Sequence, residues 1–373
     1  MKKILILDEN YPSQSNMYAN AFTHTRVKAY QKFAKVRVID YMHIRESYLH
    51  EGVQVESTTD NGRILSIIKE YMPDVVFVHF YNKRIFEILT VIEMPVYIWV
   101  HGHEALGWYR RLFNFSIPWF FRNAFTIVVP NIKQMIAFNK LIQYSNQTGH
   151  VQFVFVSEWM KRIAETDAVK KIKYARIIPN PIDDSLFSFK AKLTADRLNI
   201  LSIRPYHSHK YANDMVASAI IGLSEKPYFK ELKFSLFGKG YLFKPMEKVL
   251  RKFDNVSMHE TFIDNAQIPT IHAQYGVFLA PTRQDAQGVS TCEAMASGLV
   301  PISSHNTAVP EFIQNGTTGI LTHSVAELIA AIDYLYFNPD HFLELSANAA
   351  SSIRAKCGLE RVIESELKNA GVI

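Results

Sequence analysis

The chain has 373 residues, long enough for two domains of ordinary size. Its 48% hydrophobic and 20% charged residues describe a globular protein, and no run of 18 apolar residues marks a membrane span. The net charge of +6 falls in the first half: residues 1–187 hold 23 Lys and Arg against 17 Asp and Glu, while residues 188–373 hold 18 of each.

In chain order, MKKILILDENYPS opens the sequence. It reads as a buried strand over 3–8, because its apolar stretch is too short for a signal peptide and no small-residue cleavage site follows. Further strands are predicted at 34–41, 74–80, 95–102, 125–131 and 151–157, with helical stretches such as NGRILSIIKEYM (61–72) between several of them. The runs are nearly continuous in Val, Ile and Phe, as in parallel sheets buried on both faces. RIIPNPIDDSLF (176–187) is rich in Pro and Asp and reads as a turn and linker. The pattern then restarts with strands at 199–205, 232–240, 256–259, 275–282, 299–304 and 319–322. A last helical stretch, 358–370, has no strand after it and suits a return to the first domain.

The expected fold is therefore α/β, with two Rossmann-like doubly wound domains, 1–187 and 188–357, and the helix 358–373 crossing back. Open sheets of this kind bind ligands beyond the carboxyl ends of their strands, and two such domains face to face would leave a cleft for them. The two cysteines, Cys292 and Cys357, form no disulfide framework and suggest a reducing cytoplasm. No Cys/His cluster has zinc spacing in the sequence.

Chemistry is then sought after the strands. DAQGVSTCEAMASG (285–298) follows the strand at 275–282 as a glycine turn leading into a helix that starts near Val289–Thr291. The first N–H groups of a helix have no internal acceptor and carry about half a positive charge, which suits a phosphate. Asp285 precedes the helix and Glu293 lies just inside it, so the two can reach separate ends of a nucleotide sugar; equally, acidic residues stabilise any helix start. The segment continues as LVPISSHNTAVPEFIQNGTTGIL (299–321).

Together these two segments resemble the C-terminal domain of retaining glycosyltransferases of the GT-B fold, the large family 4 (glycosyl transferases group 1). The signature there is an acidic residue, seven others and a Glu, then an alanine-rich helix, a strand and a Pro-Glu helix start. The resemblance implies that Glu293 binds the nucleotide ribose and that Asp285 contacts the donor sugar near its anomeric carbon, with Gly288, Val289 and Ser290 at the diphosphate. The departures are Asp for the usual Glu at 285, and Ala286 and Gln287 where Gly and an aromatic are usual.

NILSIRPYHSHKYAND (199–214) places Arg204 and Lys210 at the family's spacing, which implies that they neutralise the leaving diphosphate. Gly238 and Gly240 of FGKG match a family turn beside the nucleotide, and read equally as a plain tight turn. IWVHGHEALGW (98–108) puts His101 and His103 at a strand end, where the family carries an active-site His that contacts the donor sugar and reacting groups; His101, which directly follows the strand, is favoured. SEWMKR (157–162) and RIIPNPID (176–183) also match, with Pro181 where Gly is usual. The family's glycine pair after the first strand is absent from DENYPSQSNMYAN (8–20), and Ser13, Ser15 and Asn16 stand as acceptor-side candidates instead.

The basic first half suits an anionic membrane surface or a phosphorylated acceptor, or simply reflects scattered lysines. GWYRRLFNFSIPWFFRNAF (107–125) mixes aromatics with Arg110, Arg111 and Arg122, and reads either as an interfacial segment against anionic lipid or as an ordinary amphipathic helix pair. The expected function is sugar transfer, with retention, from a nucleoside-diphosphate sugar (UDP favoured) to a sugar or lipid-linked hydroxyl acceptor in cell-envelope polysaccharide or glycolipid synthesis. The expected location is the cytoplasm, peripheral on the inner membrane face. No metal and no nucleic-acid partner is expected. The rival readings are a degenerate nucleotide-sugar-binding or scaffold subunit and a UDP-sugar epimerase on the same fold.

Overall fold

The computed structural model describes residues 1–13, 19–114 and 124–373. The chain divides into two compact units, Met1–Pro181 with Leu359–Ile373, and Ile182–Gly358.

The first unit holds an eight-stranded sheet in the order β3-β4-β2-β1-β5-β6-β7-β8. Its strands are β1 (Lys3–Asp8), β2 (Lys35–Asp40), β3 (Arg45–His50), β4 (Val53–Ser57), β5 (Val75–His79), β6 (Val96–Val100), β7 (Val151–Phe155) and β8 (Ala175–Ile177). All pairings are parallel except β3 with β4, a hairpin at the sheet edge. The central strands β5 and β6 are buried along their whole length, which explains their unbroken apolar sequences.

The second unit holds an all-parallel sheet in the order β11-β10-β9-β12-β13-β14. Its strands are β9 (Asn199–Ile203), β10 (Lys233–Phe237), β11 (Val256–His259), β12 (Val277–Ala280), β13 (Val300–Ser304) and β14 (Ile320–Thr322). Its core is built from Ile200, Leu236, Leu279 and Ile302 against the helices Asn213–Leu223 and Val325–Phe337.

In each sheet the chain winds outward on one side and then crosses to the other. The strand order reverses between β1 and β5 in the first sheet and between β9 and β12 in the second. The loops at those reversals diverge and leave a crevice at the carboxyl ends of the strands.

One expected strand is corrected. Residues 125–131 are helical: a π-type turn, Ala124–Val128, runs into the helix Val129–Thr148. Pro130 sits in the first turn of that helix, where its missing N–H costs nothing; inside a buried strand it would remove a ladder bond. The hairpin β3–β4 and the short β8 were not expected, since their segments carry too few apolar residues for a buried run. β8 lies within the stretch read as linker, and the units part at Pro181/Ile182, ahead of the expected 187/188.

Candidate functional site

In the second unit, β9 and β12 deliver their following loops to the reversal crevice. Arg204 leaves the end of β9 buried at 4% exposure. Its Nη1 donates to Ser290 Oγ at 3.1 Å, and its Nη2 lies 3.9 Å from Asp285 Oδ2. Burial lowers the guanidinium pKa, and the Asp285 charge opposes that. Arg204 Nε is buried without a partner.

Gly288, in the left-handed region at φ 80°, turns the chain into the helix Val289–Ala296. Asp285 Oδ1 accepts the N–H of Gly288 at 2.9 Å and so braces this turn. Ser290 and Glu293 are three residues apart on the helix and share a face. The half-buried Glu293 carboxylate has no hydrogen-bond or ionic partner among the described residues, and burial pushes its pKa up to about 8.

Lys210 lies in the short 3-10 turn His209–Tyr211. The Tyr211 ring lies 5.2 Å from the Arg204 guanidinium carbon and 5.4 Å from Lys210 Nζ, so one aromatic ring meets both cations. The Lys210 carbonyl accepts the Thr282 hydroxyl at 3.1 Å and the Arg283 N–H at 2.8 Å, which ties the loop after β9 to the loop after β12. Gly238 and Gly240 have a packing reason. A Cβ at Gly238 would stand 1.9 Å from the Arg204 carbonyl oxygen, and one at Gly240 2.3 Å from the Tyr206 carbonyl carbon. They let the loop after β10 lie against the backbone that carries Arg204.

In the first unit, a row of polar residues caps the reversal between β1 and β5. Asp8 and His79, register partners across these strands, are fully buried. Asp8 Oδ1 accepts the Asn10 N–H and the Asn20 amide, both at 2.8 Å, while burial raises its pKa to about 7. His79 Nδ1 and His101 Nε2 are 3.1 Å apart and share one proton. Burial holds both imidazoles well below their ordinary pKa, so the pair is neutral at pH 7. The outer nitrogens, His79 Nε2 and His101 Nδ1, are buried without partners. One must be an N–H and the other a lone pair, and exchanging them requires both ring protons to move.

His103 keeps 48% of its side chain exposed and lies 3.2 Å from Glu9. Burial works to lower its pKa, but the Glu9 hydrogen bond and the Glu104 charge outweigh it and raise it. The buried Glu104 accepts the His101 and Gly102 backbone N–H groups and fixes the loop that carries both histidines.

The structure thus brings Arg204, Lys210, Asp285, Gly288 and Ser290 into one neighbourhood, with Val289 and Glu293 on the same helix. It places His101 and His103 on one loop, in different environments. Ser13 is buried. Ser15, Asn16 and Arg122 lie outside the described residues, as does the stretch 115–123 of the aromatic and arginine-rich segment. The residues not singled out from sequence are Asp8, Glu9, His79 and Tyr211 as a shared cation platform. A polar residue closing an otherwise apolar strand, as in KILILD and VVFVH, was the available signal.

Residues 198–338 match the family model described as Glycosyl transferases group 1. The alpha-monoglucosyldiacylglycerol synthase of Acholeplasma laidlawii is 28% identical over 93 residues, a stretch that spans 25% of this chain and 23% of that protein. Among solved structures, HepE of Anabaena, in complex with UDP and glucose, superposes with a TM-score of 0.71 at 13% identity over 100% of both chains. Sucrose-phosphate synthase of Thermosynechococcus elongatus gives 0.73 at 13% identity over 99% of this chain and 98% of that one. A glycosyltransferase of Rickettsia africae gives 0.72 at 14% identity over 100% and 98%. At these identities the likeness is one of fold, and that fold is GT-B.

Proposed function

We propose that this chain, which carries the group 1 glycosyl transferase pattern in residues 198–338 on a GT-B fold, transfers a sugar from a nucleoside-diphosphate donor to a hydroxyl acceptor, with retention of configuration. The observation that carries the reading is the buried Arg204 held by Ser290 at a helix start, one turn from an unpartnered carboxylate, Glu293. A diphosphate at the first N–H groups of Val289–Ala296 would meet Arg204 and Lys210. These cations and the helix end would stabilise the charge that grows on the phosphate as its bond to the sugar breaks, so no metal is required for that step. Glu293 would accept hydrogen bonds from the ribose diol. Asp285 is assigned to the donor sugar, and Gly238 and Gly240 shape the loop beside it.

In the transfer step, the bond from the anomeric carbon to the phosphate oxygen breaks and a bond to the acceptor oxygen forms on the same face. The acceptor proton passes to the leaving phosphate oxygen. The first unit is assigned to the acceptor, and His101 and His103 to hydroxyls of the reacting sugars. Ser13, Ser15 and Asn16 keep their place as acceptor-side candidates. UDP is the favoured carrier, supported by the UDP and glucose in the HepE complex.

A lipid-linked acceptor at an anionic membrane surface in cell-envelope synthesis is supported by three observations. The basic excess lies in residues 1–187. The helix Val129–Thr148 and the turn before it expose Phe125, Val129, Ile132 and Ile136 at helical spacing, with Lys133 and Lys140 also exposed. The name of the Acholeplasma relative points to a glucosylated diacylglycerol. No helix among the described residues is long and apolar enough to cross a membrane, so a peripheral position is proposed.

The test is calorimetric binding of UDP-sugars and GDP-sugars to the wild type and to Glu293→Ala. Selective binding that the variant loses supports the reading and names the donor class. No binding to any nucleotide sugar sinks it. A second reading, a binding subunit without catalysis, is favoured by one observation: Asp285 Oδ1 is already engaged in bracing the Gly288 turn. Under that reading Asp285→Asn leaves the biological activity intact, whereas under the first it abolishes transfer.

A further inference from the structure

The outer edge of the first sheet carries a side-chain cluster that the proposed transfer reaction does not use. The hairpin of β3 and β4 turns at His50 and Glu51, and the helix Ala21–Tyr30 brings His24 up to that turn. One ligand atom each from His24, His50 and Glu51 lies within 4.8 Å of the others, the one such group of three among the described residues. His24 Nε2 is 3.0 Å from Glu51 Oε2. The rings of His24 and His50 stand edge to face, 4.6 Å apart.

The far side of His24 is already organised. Its Nδ1 lies 2.6 Å from the hydroxyl of Tyr11, which is completely buried. In the metal-free site Nε2–H donates to Glu51 and the Tyr11 hydroxyl donates to Nδ1; with a metal on Nε2 the ring proton sits on Nδ1 and is donated to the Tyr11 oxygen. An outer hydrogen bond of this kind orients metal-binding histidines and fixes their tautomer. Lys28, the nearby cation, donates its ammonium to the Glu51 backbone carbonyl at 2.7 Å and not to the carboxylate. Glu51 itself adopts a left-handed backbone at φ 45°, held in a turn that ends on Gly52.

We propose that His24, His50 and Glu51 bind one zinc ion that fastens the hairpin turn to the helix Ala21–Tyr30 and, through Tyr11, to the loop after β1. Two imidazoles and one carboxylate suit Zn2+; Mg2+ and Ca2+ take oxygen shells. Zinc would replace the hydrogen between His24 Nε2 and Glu51, and modest rotation of the side chains on the surface turn closes the group to bond lengths of about 2.0–2.2 Å. Water fills the fourth position. The site uses none of the residues assigned to the donor, so it is a structural clasp and not the diphosphate's counter-ion.

The test takes the full chain, stripped with EDTA and dialysed, and titrates it with ZnCl2 by calorimetry and with CoCl2 by visible absorption. The expected result is one equivalent bound, cobalt bands of four- or five-coordinate intensity, and a higher unfolding temperature with zinc. His50→Asn and Glu51→Gln, both on the hairpin turn, should each weaken zinc binding by more than the roughly 10–100-fold typical of losing an outer partner. His305→Gln, which breaks a close histidine pair elsewhere on the chain (His305 Nδ1 to His323 Nε2, 3.0 Å), should leave it unchanged. No binding, affinity unaltered in His50→Asn and Glu51→Gln, or binding lost only in His305→Gln overturns the proposal.

Discussion

Glu293 shows what a single unpartnered carboxylate does to a fold. Its pKa is raised from 4.5 to about 8 because burial disfavours the charge and nothing nearby compensates. The unliganded fold therefore holds a proton that the unfolded chain releases between these values, and stability falls as pH rises through that window, by at most about 1.4 kcal/mol per pH unit. Glu293→Gln should match the wild type in urea melts at pH 4 and exceed it at pH 8; equal stabilities at pH 8 would show that the carboxylate is not strained. Gly238 sets a second constraint. It occupies φ 154° with no room for a Cβ, so Gly238→Ala should lower stability by about 1–3 kcal/mol and, by displacing Arg204, weaken UDP binding about tenfold. Thermal melts and calorimetry on the same variant separate these two effects.

Among the elements, the helix Leu359–Asn369 is held by partners distant in sequence. Glu366 is fully buried and accepts from Arg26 Nε at 3.0 Å, Trp99 Nε1 at 2.9 Å and the Tyr30 hydroxyl. Val362, Ile363 and Leu367 pack with Val27, Phe77 and Trp99 in the same core. Glu366→Ala would strand the buried Arg26 guanidinium and should cost about 3–5 kcal/mol, read as a lower urea midpoint for the first unit. Glu366→Gln, which keeps an acceptor, should cost less. The expected helix was legible in GLERVIESELKNA from its apolar spacing. That its single inward Glu meets Arg26 was not, because nothing local to either segment encodes a pairing across almost the whole chain.

For the whole molecule, the charge asymmetry and the exposed apolar stripe act together. If residues 1–187 meet a membrane, the protein should co-sediment with vesicles containing anionic lipid at low salt and release at high salt, since the attraction is screened within about 10 Å at 0.1 M salt. Ile132→Glu combined with Ile136→Glu should abolish vesicle binding without changing nucleotide affinity. Retention of vesicle binding in that variant would remove the stripe from the account. Each unit carries its own core, and the chain passes between them twice, at Pro181/Ile182 and Gly358/Leu359, so substitutions in one sheet should leave the other's ligand affinity largely intact.

The sequence by itself determined where the buried strands lie and which residues follow them, because strands buried on both faces demand unbroken apolar runs and their ends fall where polar residues resume. It also placed Arg204, Lys210, Asp285 and Glu293 on loops and a helix start, through a motif whose spacing is local. It misread 125–131, where a short apolar run fits helix and strand alike and Pro130 is the sign that decides. Only the tertiary structure paired His79 with His101, set Asp8 beside His79, buried Glu366 on Arg26 and gathered His24, His50 and Glu51. Those contacts depend on strand order, register and helix docking, which are settled by the packing of the whole sheet and leave no periodic trace along the chain.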